Sequence, residues 1–229
     1  MESRPDLATF NKNMCRSQIV TLGHGQPQWE FGPFGKVYHQ AAKQALARLR
    51  RKKNVEGSDA CPVIFLYRHA VELYLKSIVS VGRTVFHLAG RPAPQLNGDL
   101  YNTHRLDHLL ATVTTIVKPL GIRPETPVVG TFAYRDVKKI IGELSTMDER
   151  SYVFRYPVDT QGATSIPRGT TLDIRRFGVL FDAVLSFLAQ CNAFLESRWH
   201  QMVEAHTEAE AEGKEGQWPT IALSGWLKN

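Results

Sequence analysis

The stretch CPVIFLYRHAVELYLKSIV, residues 61–79, constrains the fold more than any other part of the chain. Val63, Ile64, Phe65, Leu66, Ala70, Val71, Leu73, Leu75, Ile78 and Val79 leave almost no polar side on a helix. A helix that is apolar on most sides is buried on most sides. Yet Arg68, Glu72 and Lys76 recur every four residues and so form one stripe. The order Glu72 then Lys76 is the favourable one for a helical ion pair, worth about 0.2–0.5 kcal/mol when exposed. The pattern predicts a central helix whose charges lie in a groove rather than on open surface. They serve either as an ion ladder that fixes helix register or as a groove that holds a ligand.

Helical periodicity recurs along the chain. Val37, Ala41, Ala45, Leu46 and Leu49 predict a helix over about 36–53. The central helix follows the NVEGSD break, with Ser58 or Asp59 to cap it and Pro62 in its first turn, and is expected to stop near Gly82. Leu106, Leu109, Leu110, Val113 and Ile116 predict a third helix from Thr103, closed by Pro119 and Gly121. RPETPVVG reads as a loop, and a fourth helix covers about 134–145. SYVFRYPVDTQGATSIP reads as a short hairpin or extended excursion near 152–167. Thr170 with Asp173 resembles a capping box and opens the last and longest helix, with Phe177, Phe181, Val184, Leu188 and Leu195 on its wide apolar face. The fold class expected is an all-α bundle of about five helices over residues 34–206. An irregular Gly- and Pro-rich arm, 1–33, precedes it, anchored by Trp29, Phe31 and Phe34. A polar linker and Trp-containing tail, 207–229, follow it.

At 229 residues, 43% hydrophobic and 22% charged, the chain can build one packed core. No apolar run free of polar residues reaches the roughly 18–20 residues of a membrane span. The longest, GVLFDAVLSFLAQCNAFL, contains Asp182, Gln190 and Asn192. No signal-like segment opens the chain, so a cytoplasmic protein without membrane association is expected. Cys15, Cys61 and Cys191 are three widely spaced cysteines without a CxxC pair, which indicates neither a disulfide framework nor a zinc knuckle. Glycine-rich phosphate loops and a GxSxG elbow are absent from the sequence, and no cofactor is implied.

The net charge of +6 permits nucleic-acid binding without requiring it. The densest basic stretch, RLRRKK, places Arg48, Arg50 and Arg51 together at a helix end. It is either a solvated terminus favoured by the helix dipole or a backbone contact for a polyanion. His104 and His108 are four apart in THRLDH, half of a metal-site spacing, but no third ligand accompanies them and no metal is assigned. Arg155 and Tyr156 in FRYPVD suit bidentate capture of a phosphate or carboxylate. The competing reading pairs Arg155 with an acid such as Glu72 and pins the excursion to the bundle.

FLYRHAVELYLKSIV, THRLDHLL and SYVFRYPVDTQG together resemble bacterial helical-bundle proteins of the HEPN-like class, over roughly residues 36–195. The resemblance implies an all-α bundle of four or five helices, often dimeric. Many members are metal-independent endoribonucleases of toxin–antitoxin, abortive-infection and CRISPR-linked defence, and others bind RNA or protein without catalysis. Active members carry an Arg, four to six residues, then a His, with His as acid or base and Arg steadying the phosphate. Here His69 directly follows Arg68, three residues separate Arg83 from His87, and two separate Arg105 from His108. One residue separates Arg198 from His200 and seven separate it from His206. None has the required spacing. Glu72 and Lys76 match an acid–lysine element found beside the motif in some members.

The expectation is therefore a HEPN-like RNA-binding or protein-assembly subunit of a prokaryotic defence or toxin–antitoxin system. It would self-associate and work with RNA or with a protein from the same operon, through Arg68, Glu72, Lys76, His104, Tyr156, Arg48, Arg50 and Arg51. The alternative is a metal-independent endoribonuclease with a composite site of His69, His108 and Arg155. A third reading is a small-molecule sensor holding an anion near Arg68 and Arg155.

Overall fold

The computed structural model describes residues 27–149 and 151–211; the earlier part of the expected arm and the Trp-containing tail lie outside these. The described residues form an all-α bundle. Its helices are α1 (Pro27–Leu49), α2 (Gly57–Leu88), α3 (Leu106–Val117), α4 (Tyr134–Met147) and α5 (Ile174–Ala211). The central helix is α2, as its all-round apolarity requires. Tyr67, Ala70, Val71, Leu75, Ile78 and Val79 are each fully buried.

Side-chain contacts set the directions. Tyr38 of α1 meets His69 and Gly35 meets Tyr74, so α1 runs antiparallel to α2. Trp29 meets Trp199 while Leu46 meets Gly178, so α5 is antiparallel to α1 and parallel to α2. On the other flank His104 meets Glu72 and Ile116 meets Gly82, which makes α3 parallel to α2. Tyr134 to Thr114 and Ser145 to Asp107 make α4 antiparallel to α3.

Several boundaries depart from the sequence reading for physical reasons. The arm was expected to stay irregular to residue 33, but α1 already begins at Pro27 and carries Pro33 inside it. Its glycines are contact points rather than breakers. A Cβ on Gly32 would lie 2.8 Å from Asn192 Nδ2. Trp29 is an anchor, whereas Phe34 is exposed. Gly82 does not end α2, which continues to Leu88; a Cβ there would sit 2.6 Å from Ile116 Cγ2, so glycine lets α3 approach. Asp59 reaches back to the Glu56 N–H at 3.2 Å at the start of α2. Asp173 itself caps α5, accepting the Arg175 and Arg176 amides at 3.0 Å each, so it is not the inner member of a box with Thr170.

The loop RPETPVVG contains a small antiparallel hairpin, β1 (Pro127–Val129) with β2 (Phe132–Ala133), turned at Gly130. Strands this short carry no readable alternation. The excursion near 152–167 closes with one antiparallel bridge, Val158 to Thr164, around an Asp159 turn and Gly162 at φ +81°.

By length and composition α5 is long and apolar enough to cross a membrane. Half of its most apolar window is buried inside the bundle.

Candidate functional site

The charged stripe of α2 is closed over by two loops. Arg68 is fully buried. Its Nη1 donates to Glu72 Oε2 at 2.8 Å, and its Nη2 donates to the His104 carbonyl at 2.8 Å and the Asp148 carbonyl at 3.1 Å. Its Nε lies 3.0 Å from Asp148 Oδ2. Glu72 Oε1 receives Lys76 Nζ at 3.2 Å and His104 Nδ1 at 2.8 Å. Lys76 Nζ also donates to the Tyr101 carbonyl at 3.3 Å. Asp148 Oδ1 accepts the Tyr152 and Val153 amides at 2.6 and 3.1 Å.

This is a neutral buried set, two cations against two carboxylates, with His104 at its solvent edge. Burial alone pushes the Glu72 carboxyl up, but Lys76, the His104 hydrogen bond and Arg68 outweigh it and hold the group below its ordinary value. Every nitrogen of Arg68 has an acceptor inside the protein, so the stripe is an ion ladder and does not offer a guanidinium to a ligand. The set also explains where α3 begins. The His104 carbonyl is turned to Arg68, so the helix opens one residue later on the Arg105 carbonyl, which accepts the Leu109 amide at 3.3 Å.

Arg155 does not pair with Glu72. Glu72 already has three partners and is buried, whereas Arg155 is exposed, where its guanidinium keeps its water. Its guanidinium lies over the Phe65 ring at 5.6 Å and the Tyr156 ring at 5.8 Å. Tyr156 in turn packs on Tyr152 at 4.6 Å and remains half exposed. His69 stacks on the same Phe65 ring at 5.6 Å and meets Tyr38 edge-on at 4.5 Å. Burial, with Arg68, Lys76 and Arg155 nearby, pushes its pKa down against the opposing pull of Glu72.

Within the composite of His69, His108 and Arg155, a shared ring contact among the described residues joins two members. His69 and Arg155 share Phe65, while His108 of α3 faces Asp107 at 3.9 Å. His104 and His108 also turn to different carboxylates. Among the described residues no group of three His, Cys, Asp or Glu is placed to hold a metal. In the basic stretch Arg48 and Arg51 are exposed, and Arg50 donates to the Arg175 carbonyl at 3.3 Å. Lys52 binds Asp59 at 2.5 Å, which sets the stretch against the first turn of α2.

Two features escaped the sequence reading. Asp148, the second buried acid, follows α4 in a segment without periodicity. His39 Nε2 and the Tyr67 hydroxyl converge on Asp182 Oδ1 at 2.8 and 3.0 Å, joining α1, α2 and α5. Only the polar Asp182 inside an apolar helix face hinted at that cluster.

The geometry thus defines an all-α bundle with a buried ion ladder and a separate cationic-aromatic surface. No protein-family model, no curated protein and no solved structure matches the chain.

Proposed function

We propose that the chain is a HEPN-like helical-bundle subunit that binds single-stranded RNA and self-assembles, without cutting RNA, in a prokaryotic defence or toxin–antitoxin system. The observation that carries this reading is the burial of Arg68. It is the arginine on the helix that resembles the family, and each of its nitrogens is engaged by Glu72, Asp148 or the His104 carbonyl. An arginine so placed orders the bundle and cannot steady a scissile phosphate. RNA is favoured as partner because Arg155, Phe65 and Tyr156 combine a cation with aromatic faces. The basic 48–53 stretch lies against the same end of α2. Positive charge tracking a backbone, with rings on which bases stack, is the chemistry of single-strand binding.

The second reading, a metal-independent endoribonuclease with a divergent site, draws on the Phe65 ring that His69 and Arg155 share. Labelled RNA incubated with the protein in EDTA separates the two. Binding that weakens steeply with salt and leaves the RNA intact supports the binding subunit. Cleavage abolished by His69→Ala would favour the enzyme and remove the first reading.

A further inference from the structure

Three of the grooves among the described residues differ in their charged lining. The first, between α4 and the start of α5, combines an apolar lining with Asp136, Glu143 and Asp173 and with Lys139 and Arg176. A second lies among Arg105, Asp107 and Glu149, where the arginine is already paired. The third, of about 350 Å³, lies between the first turn of α2 and the 153–166 excursion. Its lining contains Arg155 and no carboxylate. That volume falls within the roughly 300–1,000 Å³ of sites that hold small organic ligands.

We infer that this third groove is a nucleotide site, taking one unstacked base and its phosphate from single-stranded RNA. The inference rests on the RNA-binding reading and names the place where that binding becomes specific to a nucleotide unit. Among the described residues the Arg155 guanidinium makes no hydrogen bond or ion pair. Its contacts are the rings of Phe65 and Tyr156. The fork is thus positioned by stacking while its N–H donors stay available, the state in which a guanidinium captures a phosphate bidentately. The groove beside it offers the half-exposed Tyr156 ring and the apolar Pro62 and Ile166 as surfaces for a base. The Ser58 and Thr164 hydroxyls line it, make no hydrogen bond among the described residues, and can read a base edge.

The floor is firmly built. Phe154 is buried in the core, and the Tyr152 and Val153 amides are tied to Asp148, which Arg68 holds. The buried ion ladder therefore fixes the base of the loop that carries Arg155. An open surface arginine would lose its rotamer freedom on binding, whereas this one has lost much of it already.

The test uses the full chain, a fluorescent twelve-nucleotide oligouridine read by anisotropy, and adenosine and uridine monophosphates titrated by calorimetry. Tyr156→Ala is expected to weaken oligonucleotide binding about fivefold or more, the effect of losing one stacked base. Arg155→Lys should weaken it similarly while leaving the salt dependence unchanged, because the charge is kept and only the fork is lost. Both positions are exposed, and both variants should melt with the wild type. Ultraviolet crosslinking of the bound strand should fall on the 151–157 peptide. RNA bound by both variants as tightly as by wild type would overturn the groove while sparing the RNA-binding reading. RNA refused by the wild type would remove that reading, and the monophosphate arm then decides. A monophosphate bound in an Arg155-dependent way supports the groove with free nucleotide as its source, and no binding overturns it. Binding of a phosphoserine peptide without nucleotide binding would overturn it in favour of a protein partner.

Discussion

Replacing Arg68 by Met tests the ion ladder directly. Met keeps an unbranched apolar stem and removes the guanidinium and its charge. The loss comprises a charged hydrogen bond to Glu72, two bonds to the His104 and Asp148 carbonyls, and the contact with Asp148 Oδ2. Hydrogen bonds to charged groups contribute about 1.5–3 kcal/mol each but are not additive, and removing one partner of a buried pair costs about 3–5 kcal/mol. A loss of about 4 kcal/mol is therefore expected, a large fraction of the roughly 5–15 kcal/mol that holds a typical domain. Urea unfolding at pH 7 measures it. The pH dependence adds a sharper check. Without Arg68 the buried set holds Glu72, Asp148 and only Lys76, so one carboxylate is left uncompensated and its pKa rises. A group with a raised folded-state pKa stabilises below its unfolded value and loses that contribution as pH climbs. The deficit should thus shrink as pH falls from 7 towards about 4. Adding Glu72→Gln restores the charge balance and should return part of the loss at pH 7. Arg68→Lys should recover about 2 kcal/mol, one charged bond, because an ammonium cannot span the acceptors that the fork reaches. A loss under about 1 kcal/mol for Arg68→Met, independent of pH, would refute the ladder as a structural device.

Other expectations follow from single contacts. Gly82→Ala drives a methyl into Ile116 and should cost about 1–3 kcal/mol by thermal melting. In combination with Ile116→Ala the two losses should be less than additive, because the clash disappears with the isoleucine. His69→Phe keeps the ring between Phe65 and Tyr38 and should leave stability unchanged at pH 8. Because burial depresses the His69 pKa, the unfolded chain binds the proton first as pH drops below about 6.5. The wild type should therefore lose stability from there downwards relative to the Phe variant, and parallel pH curves would contradict this. Asp107 is held at about 2, first by its hydrogen bond to Arg105. Its contribution is present above about pH 4 and is lost between there and 2, so Asp107→Asn should flatten that part of the acid unfolding curve.

The legible parts of the fold were those with long periodicity. The apolar sides of α2 and α5 extend over many turns, so helix identity and burial followed from spacing alone. Glycine and proline were misread because their meaning depends on a partner. Gly82 looks like a stop on its own chain and becomes a packing site only when Ile116 of α3 arrives. Likewise Pro33 and Gly32 suggest an irregular arm until Asn192 and Tyr74 show how closely α1 must lie. No local pattern carries such information, because the constraint belongs to two segments far apart in sequence.

The polar residues teach the same lesson at higher stakes. The spacing of Arg68, Glu72 and Lys76 correctly placed them on one stripe, but their meaning hung on Asp148, which has no partner visible in sequence. With Glu72 as the lone acid, a stripe of two cations would leave a positive charge free to hold an anion. Asp148 cancels that charge from behind, closes the guanidinium, and makes the same residues a strut. The Asp148 carboxylate also ties the Tyr152 and Val153 amides, at the start of the loop that carries the exposed Arg155 over Phe65. Of the two meanings the α2 stripe could have, the buried second acid selects the strut.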